Sequence, residues 1–469
     1  MNNSSLYDTV CAIATPAGVG GIAVIRISGS ESFTILNKIF YKDFRNSNPF
    51  NISTSDANKI FHGYIFDVDE QIDEVLVSVF KSPNSFTGED TIEISCHGGF
   101  FIAGKIISLL NKLGIRIAEP GEFSKRAFLN GKIDLSQAEA IADLITSATD
   151  SAHKTSLSQL EGSLSSYIKS VREELIKITS LVELELDFAE EDVEFVNKKE
   201  VKEKISNVIL ELNRIISTYI TGKIIKEGVN LVIAGKPNSG KSSLFNFFLN
   251  SERAIVSNIA GTTRDFIEEN ILIKGILFKL TDTAGIRVSK DEIESEGIKR
   301  SYEKIKNSDL VIYLVDSNSK QVDIIDSIEY FKTYFDLNKS ILVFSKSDLE
   351  NDFEFIEQII PENINYHKIS IKDISAIDSL KVAMIEKLHL TNITNESDKL
   401  IITNLRHKNC LEKTVNSLSE ALITIDSGMS GEYISLDLRN SLNSLAEITG
   451  EFTNDDILNS IFLNFCIGK

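Results

Sequence analysis

The sequence predicts a mixed α/β and α protein: an α+β domain, then a helical bundle whose two halves flank an inserted α/β domain. Three observations support this prediction: the chain length, an early series of strand-like segments, and helical stretches on both sides of buried parallel strands. At 469 residues the chain is too long for one core, and about 150 residues per domain suggests three domains. We assign residues 1–123 to the α+β domain, 124–222 and 393–469 to the bundle, and 223–392 to the insertion.

The first domain is predicted from strand-like runs that alternate with turn signals. Four runs have this pattern: 21–28, 61–66, 74–80 and 91–97. Short helices are expected over about 31–40 and after Gly99. Strands and helices mixed in this way indicate a compact α+β domain.

The bundle is predicted from apolar residues at alternating spacings of three and four. They form one stripe, expected on a single long helix: Leu157, Leu160, Leu164, Tyr167, Val171, Leu175, Ile178 and Val182. Such a stripe is ordinarily the seam of a helical bundle. The C-terminal segment is again helical, with Leu438, Leu442 and Leu445 in step, and we expect it to complete the same bundle.

The composition is that of a folded, acidic protein. Apolar residues make up 42% of the chain and charged residues 25%, with 6 prolines, which is typical of globular chains. The formal net charge of −19 argues against a surface that binds nucleic acid over its whole extent. Local basic patches remain candidates, namely Lys125, Arg126 and Lys132 or residues 406–408, although such short clusters are more often solvated surface.

The N-terminus has no basic segment followed by an apolar one, and no run of about 18 apolar residues occurs, so a cytoplasmic protein is the expectation. Cys11, Cys96, Cys410 and Cys466 are far apart and include no CxxC pair. We therefore expect buried small side chains and not a zinc site or disulfides. Cys466 is set apart because it lies close to the C-terminus.

The strongest motif is a phosphate-binding loop at residues 235–242. These residues read GKPNSGKS, after the apolar run NLVIAG and before the helix-like SLFNFFLN, which is the strand, loop and helix context that the GxxxxGK[ST] motif needs. Glycines let backbone N–H groups turn toward phosphates, Lys241 reaches the β- and γ-phosphates, and the Ser242 hydroxyl is a ligand for Mg²⁺.

Two further motifs complete the phosphate side. Residues 282–285 read DTAG at the end of a strand, which places the Asp282 carboxylate near the metal and the Gly285 N–H near the γ-phosphate. Residues 261–265 read GTTRD and offer a threonine for Mg²⁺ in a switch loop. These motifs predict a Mg²⁺-dependent GTPase with an inserted P-loop G domain, a Ras-like α/β fold.

Base recognition is predicted at the end of the second of two buried strand segments, 310–316 and 340–348. That segment ends in Ser-Lys-Ser-Asp, close to the NKxD signature, in which the aspartate accepts both guanine N–H groups. Asp348 is present, whereas Ser345 stands where the signature has asparagine. Ser370 and Ile371 stand where a Ser-Ala pair is usual, so both departures fall in the guanine pocket.

The residue that orients the attacking water is not evident from the motifs. Many GTPases have glutamine directly after DTAG, but Ile286 occupies that position and cannot donate or accept a hydrogen bond. The remaining candidates are the charged residues nearby: Arg264, Arg287, Asp291, Glu292 and Glu294. Each of them taken singly is more often a solvated charge than a catalyst.

Motifs along almost the whole chain resemble the MnmE (TrmE) family of tRNA-modification GTPases. They are ATPAGVGGIAVIRISG, SFTGEDTIEISCHGG, EPGEFSKRAFLNGKIDLSQAEAIADLI, GTTRD and the ending LAEITGEFTNDDILNSIFLNFCIGK. The resemblance implies a homodimer that works with the FAD-containing MnmG in a heterotetramer. Together they would add an aminomethyl or carboxymethylaminomethyl group to C5 of the wobble uridine of tRNA.

The resemblance also implies further ligands. The N-terminal domain would be of the folate-binding type and hold 5-formyltetrahydrofolate or a related one-carbon folate through Arg26, Glu89, Lys132 and the terminal Lys469. Cys466 is a candidate for the modification chemistry, with a buried packing role as the alternative.

In the G domain the resemblance implies K⁺ ligands at Asn238, Ser257, Ile259 and Thr262, Mg²⁺ ligands at Ser242 and Thr263, and Glu294 as the residue that positions water. The expected GTP-binding positions are Asn238, Ser239, Gly240, Lys241, Ser242, Ser243, Ser257, Asn258, Ile259, Ala260, Gly261, Thr262, Thr263, Asp282, Thr283, Ala284, Gly285, Ser345, Lys346, Asp348 and Ser370.

Two other functions fit parts of the sequence. A GTP-gated RNA-binding or ribosome-assembly factor would carry an appended RNA-binding domain such as a KH fold, and the C-terminal segment has no GXXG loop. A membrane-remodelling GTPase would need a basic amphipathic tip, which the acidic charge opposes.

Overall fold

The chain forms two compact units in the computed structural model. The model describes residues 8–16, 18–43, 50–52, 57–187, 198–252, 268–282, 305–349, 353–362, 364–390, 400–452, 455–463, 465 and 467–468. The first unit comprises Met1–Ile145, Ser158–Ile205 and Lys413–Lys469. The second comprises Thr146–Leu157 and Ser206–Glu412.

A seven-stranded sheet organises the first unit. Its strands are β1 (Val10–Ile13), β2 (Ile22–Ser28), β3 (Phe40–Tyr41), β4 (Ile60–Asp67), β5 (Glu70–Phe80), β6 (Thr91–His97) and β7 (Arg116–Ile117). They run in the order β3-β4-β5-β6-β2-β1-β7. All neighbouring pairs are antiparallel except β1 and β7, which are parallel.

The strands form because their apolar side chains alternate, so that one face of the sheet is buried. In β5 the residues Val75, Val77 and Val79 point into the core and the intervening residues do not. Helices Ser32–Ile39 and Phe100–Lys112 contribute buried side chains to the same core. The four predicted strands and both predicted helices are confirmed.

The remaining helices are Glu122–Leu129, Leu135–Thr146, Asp150–Leu160, Ser163–Asp187, Lys198–Ser217, Tyr219–Glu227, Lys241–Glu252, Gln321–Tyr334, Phe353–Ile359, Ile374–Lys387, Leu405–Asp426, Gly431–Thr449 and Asp455–Phe462. Within the first unit, Ser163–Asp187 packs against Gly431–Thr449. Arg439 Nη2 lies 2.7 Å from Glu183 Oε1, and Arg172 forms an ion pair with Glu451. A middle and a C-terminal segment therefore share one helical layer.

The prediction of a single long helix for the apolar stripe was wrong. Leu157 and Leu160 lie in Asp150–Leu160, whereas the stripe from Leu164 onwards lies in Ser163–Asp187. Gly162 between them has φ of +90°, a left-handed conformation that ends a helix and that glycine adopts without a steric penalty.

A six-stranded sheet organises the second unit. Its strands are β8 (Val229–Gly235), β9 (Glu268–Ile273), β10 (Ile276–Asp282), β11 (Leu310–Asp316), β12 (Ser340–Ser345) and β13 (Tyr366–Lys368), in the order β13-β12-β11-β8-β10-β9. Only the β9–β10 pair is antiparallel among these strands. The carboxyl ends of β8, β11 and β12 thus meet at one edge, where α/β sheets bind ligands.

The segments that lead into and out of this sheet lie side by side. A Cβ atom on Gly222 would lie 2.1 Å from the Ile402 carbonyl oxygen, and the Ile402 N–H donates to Thr218 Oγ1 over 3.1 Å. This contact is what an inserted domain requires, because its two ends must leave the host close together.

Within the described ranges, no helix combines the length and the apolar composition needed to cross a membrane. Cys11, Cys96 and Cys410 are buried and form no disulfide. Burial raises the pKa of Cys11 to about 12 and that of Cys96 to about 11, so both thiols stay protonated and the packing role expected for them is supported.

Candidate functional site

The loop after β8 has the backbone of a phosphate-binding loop. Gly235, Asn238 and Gly240 all have positive φ, of 147°, 63° and 91°. A Cβ atom on Gly235 would lie 2.3 Å from the Leu314 carbonyl oxygen, so only glycine fits between β8 and β11. The helix Lys241–Glu252 begins directly after the loop, which directs its free N–H groups and positive dipole end toward the same point.

Side chains that would face phosphates surround this point. Lys241 Nζ donates to the carbonyl oxygens of Gly235, at 3.0 Å, and Lys236, at 2.8 Å. Ser242 and Ser243 are exposed in the first turn of the helix. The Ser242 hydroxyl is therefore accessible to a cation, as the magnesium assignment requires.

A cavity of about 160 Å³ lies beside the loop and has the composition of a base pocket. It is lined by Gly240, Ser243, Leu244, Leu314, Ser345, Lys346, Asp348, Ile369, Ser370, Ile371 and Lys372. Asp348 Oδ1 accepts from Ser370 Oγ at 2.8 Å, and Oδ2 accepts from Lys372 Nζ at 2.8 Å. The hydrogen bonds from Lys372 and Ser370 hold the pKa of Asp348 below its ordinary value. The carboxylate is thus ionised and oriented at the cavity wall.

Ser345 connects this pocket to the phosphate-binding loop. Its hydroxyl donates to the Ser239 carbonyl oxygen at 2.7 Å, and its own carbonyl oxygen accepts from Ser317 Oγ at 2.6 Å. Next to it, Lys346 has a positive φ of 60° and forms an ion pair with Asp316. The serine therefore holds β11, β12 and the loop together, although it is shorter than the asparagine of the usual signature.

Part of the predicted nucleotide site lies outside the described residues. This holds for the loop 257–263, for Thr283, Ala284 and Gly285, and for Glu294. Asp282 ends β10, next to β8 in the sheet, but its side chain is outside the description as well.

A second candidate site lies on the first unit, around Arg26 of β2. Arg26 Nε donates to Glu93 Oε1 at 2.9 Å, and the guanidinium carbon lies 5.2 Å from the Phe86 ring centre and 5.5 Å from that of Phe123. Among the described residues, buried Nη1 has no hydrogen-bond acceptor. A buried donor is costly without a partner, and Nη1 is thus available to an acceptor on a ligand.

Two further predicted residues of this site, Glu89 and Lys132, lie on the same unit, and Glu89 is bonded to the strand of Arg26 through Ser28. Ser28 is two residues after Arg26 on β2 and so shares its face of the strand. Its hydroxyl donates to Glu89 Oε2 at 2.7 Å. Lys132 packs its side chain over Gly88, where an added Cβ would be 3.3 Å from Lys132 Cγ, and its Nζ donates to the Pro83 carbonyl oxygen at 3.0 Å.

The C-terminal tail is docked on the same unit. Gly468 is buried with φ of +92°, and a Cβ atom there would lie 2.3 Å from the Ile13 carbonyl oxygen. Ile13 ends β1, which pairs with β2 so that Ala12 lies opposite Arg26. Gly468 therefore lies at the end of the strand that pairs with the strand of Arg26, while Cys466 and Lys469 lie outside the described residues.

Neither predicted basic patch is an exposed cluster. Arg126 is only 1% exposed and forms ion pairs with three carboxylates, of Asp8, Glu89 and Glu122. In the other patch His407 is 1% exposed. Arg126 and His407 are therefore not available as surface cations of these candidate patches, because a count of basic residues in sequence cannot show which of them point inward. Within the motif EFSKRAF, only its charge distinguishes Arg126, so the sequence did not indicate that this side chain is buried.

Comparison with known proteins identifies the family of this chain. A family model described as the MnmE helical domain matches residues 135–466, and one described as GTP-binding protein TrmE N-terminus matches residues 9–132. A Flavobacterium johnsoniae protein named tRNA modification GTPase MnmE is 43% identical over 98% of this chain and 99% of its own. Proteins of the same name from Christiangramia forsetii and Clostridioides difficile are 42% and 41% identical over 99% and 98% of this chain and 100% and 99% of theirs. Because the matches extend over nearly the whole chain, this chain belongs to the MnmE family.

Proposed function

We propose that this protein is a K⁺-activated GTPase that acts with a FAD-dependent partner on tRNA. Together they add a carboxymethylaminomethyl or aminomethyl group to C5 of the wobble uridine. The observation that carries the GTPase assignment is the oriented Asp348 carboxylate at the wall of a cavity that adjoins a phosphate-binding loop. Guanine presents two adjacent N–H donors, which a carboxylate accepts and which adenine lacks.

The phosphates would lie against the loop and the start of the helix Lys241–Glu252. Lys241 would exchange its two carbonyl acceptors for phosphate oxygens, and Ser242 and Thr263 would hold Mg²⁺. Bound Mg²⁺ supplies charge neutralisation for phosphoryl transfer. The chain itself positions the nucleotide and the attacking water.

Potassium would be held by Asn238 together with Ser257, Ile259 and Thr262. Asn238 fits this role because it is exposed at the tip of the loop, in the left-handed conformation that asparagine tolerates better than most residues. Neutral oxygen ligands beside the phosphates suit a monovalent cation, which contributes positive charge where other GTPases insert an arginine.

The first expected result is that GTP turnover rises by about tenfold or more when K⁺ replaces Na⁺ at equal ionic strength. The expectation follows from the gain of about 10³ or greater that an arginine finger gives. Steady-state phosphate release in the two salts measures it. Asn238→Ala is the matched variant, in which the difference between the salts should shrink. Equal rates for the unsubstituted protein in both salts would refute cation activation.

The second expected result concerns the water-positioning residue. Glu294→Ala should retain GTP binding and lose hydrolysis, because the interaction is made in the transition state and not in the ground state. Nucleotide titration gives the affinity, and single-turnover phosphate release gives the rate. Glu292→Ala, two residues earlier, is the matched control and should hydrolyse normally. Hydrolysis that survives Glu294→Ala would place the catalyst elsewhere.

The N-terminal pocket would hold a one-carbon folate such as 5-formyltetrahydrofolate. Arg26 Nη1 would find its acceptor in a carbonyl or carboxylate of the ligand, and Glu89 would accept from pterin N–H groups. Lys132 and Lys469 would complete the site, and Cys466 is available for the chemistry on the uridine. A folate bound there supplies the one-carbon unit.

The assembly that we propose is a homodimer joined to the FAD-containing MnmG in a heterotetramer, acting in the cytoplasm. GTP hydrolysis would drive a conformational change and not the bond-making step. Mass spectrometry of wobble uridines from cells with and without this protein tests the proposal. Loss of the modified nucleoside is expected in its absence. Unchanged uridines together with a defect in ribosome assembly would favour the alternative of a GTP-gated assembly factor.

A further inference from the structure

Five charged residues form a cluster on the first unit, and we call it the Arg126 cluster: Asp8, Glu89, Arg116, Glu122 and Arg126. Arg126 lies at its centre, in the helix Glu122–Leu129. Its Nη1 donates to Glu89 Oε1 at 3.1 Å, Glu89 Oε2 at 3.2 Å and the Asp8 carbonyl oxygen at 2.8 Å. Its Nη2 donates to Asp8 Oδ1 at 3.0 Å and Glu122 Oε1 at 2.8 Å.

These contacts fix the position of the Arg126 guanidinium group. A guanidinium has five N–H donors in a rigid plane, and here the donors are directed at three carboxylates on separate parts of the chain. Burial by itself would raise the pKa of Glu122, but hydrogen bonds from Arg116 and Arg126 outweigh it and lower that pKa. The same balance, with Arg116 contributing most, lowers the pKa of Asp8. Asp8 and Glu122 are therefore ionised and anchor Arg126.

Glu89 differs from the other two carboxylates of the cluster. Asp8 and Glu122 each bond both arginines, and Glu122 also accepts from the Glu119 N–H at 2.8 Å. Glu89 accepts from Arg126 Nη1, which is shared between its two oxygens, and from Ser28. A carboxylate has about four acceptor positions. Glu89, whose side chain is 20% exposed, thus keeps acceptor capacity for a ligand.

The geometry points to Arg126 as a positioning residue that orients Glu89 for a ligand with two adjacent N–H donors, such as the pyrimidine edge of a pterin. This inference rests on the proposed folate site and adds a residue to it. Arg126 stands behind Glu89 and fixes the direction of both oxygens, so the free acceptor positions are oriented before the ligand arrives. A preoriented acceptor binds more tightly because no side-chain freedom is lost on binding.

Calorimetry with 5-formyltetrahydrofolate on the full-length protein tests the inference through a double-mutant cycle. The variants are Glu89→Gln, Arg126→Gln and the two combined. We expect each single variant to bind about tenfold more weakly, as is typical when a hydrogen bond to a charged group is lost. The double variant should bind no more weakly than Glu89→Gln, because Arg126 acts through Glu89.

Arg116→Gln is the matched control, since it removes the other arginine that bonds Asp8 and Glu122. It should lower the thermal stability of the N-terminal unit and change folate affinity much less than Arg126→Gln does. GTP hydrolysis by Arg116→Gln should stay near that of the unsubstituted protein. If Arg126→Gln does not fold, Ser28→Ala replaces it in the same cycle, because Ser28 is the other donor to Glu89.

Two results would overturn the inference and are distinguishable from each other. Additive losses in the double variant, or an equal loss in Arg116→Gln, would mean that Arg126 is a structural residue only, with the folate site intact. Normal folate binding by Glu89→Gln would instead remove Glu89 from the site, and the proposed folate function at Glu89 would fail together with the inference.

Discussion

Asp348→Asn is expected to change the nucleotide preference of this protein from GTP to xanthosine triphosphate. The Asp348 carboxylate accepts from Ser370 and Lys372 at the wall of the base cavity. An asparagine presents an N–H₂ group to one of the two guanine donors, so one hydrogen bond is replaced by a repulsive pair of donors. Xanthine carries a carbonyl there and restores the bond.

The expected loss of GTP affinity is about 10²-fold, since leaving a donor at a charged partner unpaired costs about 1.5–3 kcal/mol. Competition between the two triphosphates for a fluorescent nucleotide measures the change. Lys372→Met is the matched control, because it removes a partner of Asp348 but keeps the carboxylate. That control should still prefer GTP. Unchanged GTP affinity in Asp348→Asn would contradict the assignment of the base pocket.

Removal of residues 466–469 is expected to abolish tRNA modification and to leave GTP hydrolysis by the isolated protein nearly intact. The tail is docked rather than loose, because Gly468 fits against the Ile13 carbonyl oxygen and Phe465 before it is buried. Gly468 lies at the end of β1, which pairs with the strand that carries Arg26. Loss of Lys469 should therefore weaken folate binding, whereas the nucleotide site belongs to the other compact unit.

Gly468→Ala is a finer version of the same experiment. The added methyl group would lie 2.3 Å from the Ile13 oxygen, and φ of +92° disfavours any residue other than glycine. The tail should be displaced although Cys466 and Lys469 remain. Calorimetry with 5-formyltetrahydrofolate, with phosphate release as the control, compares the variants. Folate affinity that is equal in the truncated and full-length proteins would make the tail a helix end without a role in the pocket.

Local motifs were sufficient to predict most of the fold. Each strand of the G domain that was predicted is present, because buried parallel strands are continuous apolar runs and need no distant information. The loop 235–242 was predicted from the sequence because its glycines, lysine and serine form one contiguous motif. The helix break at Gly162 also had a local signal, namely the glycine itself. Apolar residues continue at helical spacing on both sides of this glycine, so the sequence pattern favoured one unbroken helix.

The sequence by itself predicted the phosphate-binding loop, the aspartate that we propose for the base, and the family, because each depends on motifs of residues that are close in sequence. Only the tertiary structure showed which partners Arg126 has. In sequence it is one of several basic residues near a lysine, and in the fold it is 1% exposed among carboxylates that come from residues 8, 89 and 122. The same holds for Ser345, which bonds a carbonyl oxygen 106 residues away. A buried charge is stable only where the fold brings its partners to it, so its role becomes visible when those partners are in place.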